Sequence, residues 1–177
     1  MDIKSGHPFW PLEQGLIGTF PALEGDLSCD VAVIGAGITG TLIARELAAS
    51  GLDIVVLDRR EAGWGSTSAS TALLQYEIDT DLVDLQTMYG WRFAHEAYRA
   101  CSEAIDDFEG HARDIDADVG FRRTGSLYYA SSAKDASEFP GEFAARREAG
   151  LAVEWLDPDD IAERFGLQAP AALWTPQ

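Results

Sequence analysis

Residues 30–34, Asp-Val-Ala-Val-Ile, form a short apolar run of the kind buried in parallel sheets. The run passes directly into Gly35-Ala36-Gly37-Ile38-Thr39-Gly40. A helix is predicted to follow, turning Ile38, Leu42, Ala44 and Leu47 towards the sheet and Arg45 and Glu46 outwards. Gly51 stands where a C-cap glycine is expected. Ile54-Val55-Val56-Leu57 then reads as a second buried strand that ends at Asp58. Ahead of this unit, residues 1–28 read as an irregular arm broken by Pro8, Pro11 and Pro21.

Residues 62–72 are small and polar, with neither a helical nor a strand period. After Asp79 the pattern turns helical. Phe93, Ala97, Cys101, Ile105 and Phe108 make one apolar stripe, and the acid-rich stretch from Glu103 to Asp118 supplies its wet face and the loop beyond. A strand is expected over 121–130, with Gly125 as a bulge or a point of close approach. A helix is expected over about 133–149, interrupted or restarted at Pro140 and closed by Gly150. Val153 to Leu156 reads as a short strand. Asp157-Pro158 is an N-cap and first-turn pair for a helix ending before Gly166. The expected organisation is an arm (1–28), a βαβ unit with its following small-residue segment (29–80), and a further region (81–177).

Each glycine of the turn occupies a place that a side chain would obstruct. Gly35 permits a tight exit from the strand, Gly37 lets backbone approach a pyrophosphate, and Gly40 lets the helix pack closely on the strand. The helix N-terminus offers unpaired N–H groups and a positive dipole end to the phosphates. Asp58 ends the second strand, where a carboxylate accepts hydrogen bonds from ribose hydroxyls. A strand before the turn, a helix after it and an acid at this spacing together make a Rossmann-like dinucleotide site. The carboxylate disfavours NADP, whose extra phosphate it would repel.

Composition narrows the classes further. The chain has 177 residues with 30 acidic against 13 basic, a formal charge of -17. That balance repels phosphate backbones and anionic lipid surfaces, so neither nucleic acid nor membrane is an expected partner. Cys29 and Cys101 do not form a disulfide framework and read as small core residues. His7, His95 and His111 lack paired metal-ligand spacing, so no metal is expected. The uncharged run from Val31 to Ala44 is too short for a bilayer and is broken by glycines. A cytoplasmic, soluble chain is expected.

The stretch from Asp30 to Asp58 resembles the FAD-dependent amino-acid oxidase family, which includes glycine oxidase, D-amino-acid dehydrogenase and sarcosine oxidase. The resemblance continues through Ser66-Thr67-Ser68-Ala69-Ser70-Thr71-Ala72-Leu73, similar to the family's segment along the flavin. Phe121-Arg122-Arg123-Thr124-Gly125-Ser126-Leu127 is similar to a strand of its substrate half, and Leu151 to Trp174 fits the order there. The resemblance implies FAD as cofactor and an amine or amino acid as substrate. It implies turn contacts to the pyrophosphate from Ile38 and Thr39, beside Gly35, Gly37 and Gly40. Asp58 would meet the adenosine ribose, with Arg59 at the adenine end. Ser66 and Thr67 would face the pyrophosphate region, and Thr71, Ala72 and Leu73 the flavin side. No catalytic residue is assigned.

Two positions depart from the family's habit: Asp58 where Glu is more usual, and Ala72 where Gly is frequent. Length departs further, since family members run to about double this chain. The expected fold is therefore α/β: an FAD-binding βαβ unit with part of an α+β substrate domain, truncated and inactive by itself. An open sheet edge would favour self-association or a missing C-terminal half. Two other readings stay open at this point. One is an NAD-linked dehydrogenase, which leaves residues 66–73 without a purpose. The other is a non-catalytic nucleotide-binding protein.

Overall fold

Four apolar residues, Val31–Ile34, extend as strand β1, and Ile54–Leu57 lie parallel to them as β2 in the register Val31 to Ile54 and Ile34 to Leu57. The computed structural model describes residues 6–176. These divide between Leu73 and Leu74 into two units.

In the first unit a short helix α1, Phe9–Gln14, interrupts the arm that the prolines had suggested was irregular. Pro8 precedes it and Pro11 falls in its first turn, where a missing N–H costs nothing. Helix α2, Ile38–Ala49, connects the two strands in the crossover that parallel pairing requires. Leu42, Ala44 and Leu47 are half-buried as expected, but Ile38 is exposed. It sits at the first helical position, ahead of the turns that pack on the sheet. Ser50 caps α2, and Gly51 follows with φ of 80° and donates to Ala48 O at 3.1 Å.

The expectation of two buried strands is corrected. No residue of β1 or β2 is fully buried, and Ile34 is 78% exposed. Among the described residues this sheet has two strands, and α2 is the helix that packs on it.

The second unit carries the core. Helices α3, Leu82–Tyr89, and α4, Trp91–Asp114, are separated by Gly90, whose φ is 87°. The buried face of α4 is Ala94, His95, Tyr98 and Ile105, with Ala97 and Cys101 packed beside it. This is a rotation from the predicted stripe: Phe93 is exposed and meets Tyr89 at 5.2 Å. Tyr98 is buried instead, and its hydroxyl donates to Thr80 O at 2.8 Å, which satisfies the polar tip of a buried ring.

Strand β3, Ser126–Tyr129, is followed by α5, Ala133–Ala136, and α6, Phe139–Glu148, with Pro140 at the start of α6. Strand β4, Glu154–Leu156, leads through the Asp157 capping box into α7, Pro158–Phe165. Strand β5, Ala172–Thr175, lies between β3 and β4 and is antiparallel to both.

The expected boundary after residue 80 moves to Leu73. Tyr76 already belongs to the second unit's core, with 1% exposure and its hydroxyl 2.8 Å from Thr175 Oγ1. Among the described residues no helix is long and apolar enough to cross a membrane.

Candidate functional site

The site lies in the first unit, where β1 turns into α2. Gly35 has φ of 108°, a region that L side chains avoid, and its N–H continues the ladder to Leu57 O at 2.7 Å. A Cβ at Gly40 would collide with the carbonyl oxygen of Gly35 and stand 3.3 Å from Val33 Cγ1. Only glycine lets the helix begin this close to the strand.

Three bonds clasp the turn. Ala36 N–H donates to Asp58 Oδ2 at 2.7 Å, and Gly63 N–H donates to Ala36 O at 2.8 Å. Ile38 N–H, at the start of α2, donates to Thr67 Oγ1 at 3.0 Å. Asp58 also accepts from Arg60 N–H, through Oδ1 at 2.9 Å. The Ala36 bond, then that of Arg60, with the Arg60 guanidinium adding to them, holds the Asp58 carboxyl below the usual carboxylate range.

The segment after the acid is tied back in the same way. Ser68 is buried and its hydroxyl donates to Gly65 O at 2.8 Å. Residues Thr67–Ala69 form a single 3-10 turn, and Trp10 Nε1 of the arm donates to Ser70 O at 2.9 Å. The half-buried Arg60 side chain lies against Gly65, where a Cβ would stand 2.8 Å from its Nη2.

Of the residues singled out in the sequence, Gly35, Gly37, Ile38, Gly40, Asp58 and Thr67 come together at this turn. Thr39 is exposed in the first turn of α2, Ser66 is exposed just before Thr67, and Arg59 is exposed beside Asp58. Thr71, Ala72 and Leu73 lie exposed further along, with no hydrogen bond to the turn among the described residues. Ala72 has φ of 56°, a left-handed backbone that glycine adopts more readily than alanine. Sequence reasoning missed Gly63, Ser68, Trp10 and the Ala36 peptide. For Gly63 and Ser68 the signal was the small-residue composition of 62–72, which names no individual contact.

The geometry suits a pyrophosphate. The backbone is bare at Gly37, where a Cβ would stand 3.2 Å from Thr67 Oγ1. The first turn of α2 presents N–H groups that an intact helix cannot pair internally, with the positive end of its dipole.

A glycine turn, a helix N-terminus and an acid closing the next strand define a dinucleotide-binding unit. Residues 30–177 match the family described as FAD dependent oxidoreductase. The chain belongs to that family, whose cofactor is FAD. It is similar to glycine oxidase of Bacillus licheniformis, with 32% identity over 133 residues, 75% of this chain and 32% of that protein. It is 31% identical over 154 residues to the tRNA 5-methylaminomethyl-2-thiouridine biosynthesis bifunctional protein MnmC of Ralstonia nicotianae, covering 80% and 20% of the two chains. In fold it is similar to the L-amino acid deaminase of Proteus vulgaris, with a TM-score of 0.66 and 16% identity over 90% of this chain and 36% of that one. The chain spans about a third or less of the length of the curated relatives it matches.

Proposed function

We propose that residues 29–73 bind FAD, from its adenosine and pyrophosphate to the near side of the flavin, in an oxidoreductase that acts on the carbon–nitrogen bond of an amino acid or amine. The observation that carries this reading is a convergence. Asp58 and Thr67 reach the same glycine turn from 22 and 29 residues along the chain.

When bound, FAD supplies the acceptor for a hydride from the substrate carbon next to nitrogen. The chain's own residues bind and orient. Gly35 and Gly37 leave backbone open to the pyrophosphate, and the Ile38, Thr39 and Gly40 end of α2 favours its charge. Asp58 retains lone pairs for ribose hydroxyls, since each carboxylate oxygen has two and each spends one on an N–H. Arg59 is placed for the adenine end. Thr67 accepts from Ile38 and keeps its own O–H to donate to a phosphate oxygen, with Ser66 beside it. Thr71, Ala72 and Leu73 border the flavin.

These 177 residues alone are not expected to turn over amines. Exposed Ile34, Ile38, Ile43 and Val56 support self-association, or completion by further chain.

Titration of the purified protein with FAD tests the reading. Quenching of flavin fluorescence with a shifted visible spectrum is expected. Tight NADH binding without FAD binding would refute it. A panel of amines with a dye acceptor should give no rate above free flavin, and substrate-dependent dye reduction would show a complete active site.

A further inference from the structure

We propose that Asp58 is a positioning residue of the glycine turn before any nucleotide arrives, and not only an acceptor for the ribose. The inference rests on the reading that FAD binds at this turn. Its argument begins with Ala36, which is 8% exposed and therefore has little water to pair its peptide groups. A buried N–H without a partner costs as much as a lost hydrogen bond. Both peptide groups of Ala36 are met, the N–H by Asp58 Oδ2 at 2.7 Å and the carbonyl by Gly63 N–H at 2.8 Å.

The bond continues the sheet. The last backbone rung runs from Gly35 N–H to Leu57 O at 2.7 Å. One residue further, the Asp58 side chain takes the place of the next rung. It thus carries the ladder past Gly35, whose φ of 108° has already turned the backbone away. The second oxygen anchors the carboxylate to its own segment through Arg60 N–H at 2.9 Å. The carboxylate is a brace between the two strand ends, and the peptide it fixes lies between Gly35 and Gly37.

Charge supports this geometry. Arg60 is the charged neighbour acting on the carboxylate from its own segment, while residues 35–37 opposite are Gly-Ala-Gly and carry no titratable side chain. The α2 N-terminus adds a positive dipole end. Both N–H donors reward the ionised form, and the carboxyl is held below its usual range.

Nuclear magnetic resonance of the FAD-free chain tests the brace without any cofactor. The Ala36 and Arg60 amide protons and the Asp58 carboxyl carbon are followed through acid pH. Both amide protons are expected to shift with the carboxyl carbon at one shared midpoint, below that of an ordinary carboxylate. D58N should abolish that shift at both amides and weaken FAD binding at least about tenfold, through loss of charge-assisted bonds. An Ala36 amide that stays flat while Asp58 titrates in the wild-type chain would overturn the proposal, whether or not D58N folds. Failure of the wild-type chain to bind FAD, with Ala36 still tracking Asp58, would overturn the cofactor reading and leave the brace standing.

Discussion

Arg146 Nε donates to Glu142 Oε1 at 2.7 Å, and the two side chains are 1% and 3% exposed. Glu142 also caps a helix to which it does not belong. Its two oxygens accept from Leu82 and Val83 N–H at the start of α3, both at 3.1 Å. The α3 N-cap residue, Asp81, makes no side-chain capping bond itself. Arg146 further reaches Glu77 Oε1 at 3.4 Å and lies over the Tyr76 ring. Arg146→Met removes the counter-charge and leaves a buried carboxylate uncompensated, an effect of about 3–5 kcal/mol. Chemical denaturation should show that loss. A midpoint unchanged from wild type would mean that Arg146 does not support the Glu142 carboxylate that caps α3.

Gly125 lies against the indole of Trp174, where any Cβ would collide with the ring. Of the two sequence readings at this position, close approach is the one realised. Trp174 in turn packs on Phe165 at 5.1 Å and carries Arg164 over its face at 5.5 Å. Gly125→Ala should therefore displace the indole and destabilise the three-stranded sheet by about 1–3 kcal/mol. Tryptophan fluorescence and thermal unfolding measure both effects. Wild-type stability with an unmoved emission maximum would contradict the contact.

At Gly37 the backbone is extended, with φ of -79°, so a side chain strains nothing locally. The obstacle is spatial, because the Cβ would stand 3.2 Å from Thr67 Oγ1 and fill the approach to the turn. Gly37→Val is expected to abolish FAD binding while the parallel strand pair and α2 keep their circular dichroism. Equal FAD affinity in titrations of wild type and variant would remove the turn from the site.

The βαβ unit was legible because its determinants are local: two four-residue apolar strands, a glycine turn and one acid. The Asp157 N-cap with Pro158 in the first turn was legible for the same reason, since cap chemistry needs neighbours in sequence only. The rotation of α4 was not legible, because burying Tyr98 needs a partner for its hydroxyl, and that partner, Thr80 O, lies 18 residues away on another segment. The exposure of Ile34 was equally hidden, since an apolar run does not say how many layers cover it. At the site, composition marked residues 62–72 as special, but Thr67 was separated from its neighbours only by its bond to Ile38.

Asp81 sits half-buried beside this second-unit network, and burial first, then the nearby charge of Glu142, pushes its carboxyl above the usual range. Tyr128 O–H donates to its Oδ2 at 3.3 Å. With the folded pKa raised, the unfolded chain releases its proton at lower pH than the folded one. Stability therefore falls as pH rises from the ordinary carboxylate range through the raised value, and the penalty persists above it. Asp81→Asn removes the ionisation and keeps an oxygen for Tyr128. The variant should be more stable than wild type at pH 7, with the difference closing as pH falls below the ordinary carboxylate range. Denaturation curves across pH measure this directly. A variant that is less stable at pH 7, or whose difference from wild type does not change with pH, would show that Asp81 is not held against its charged form.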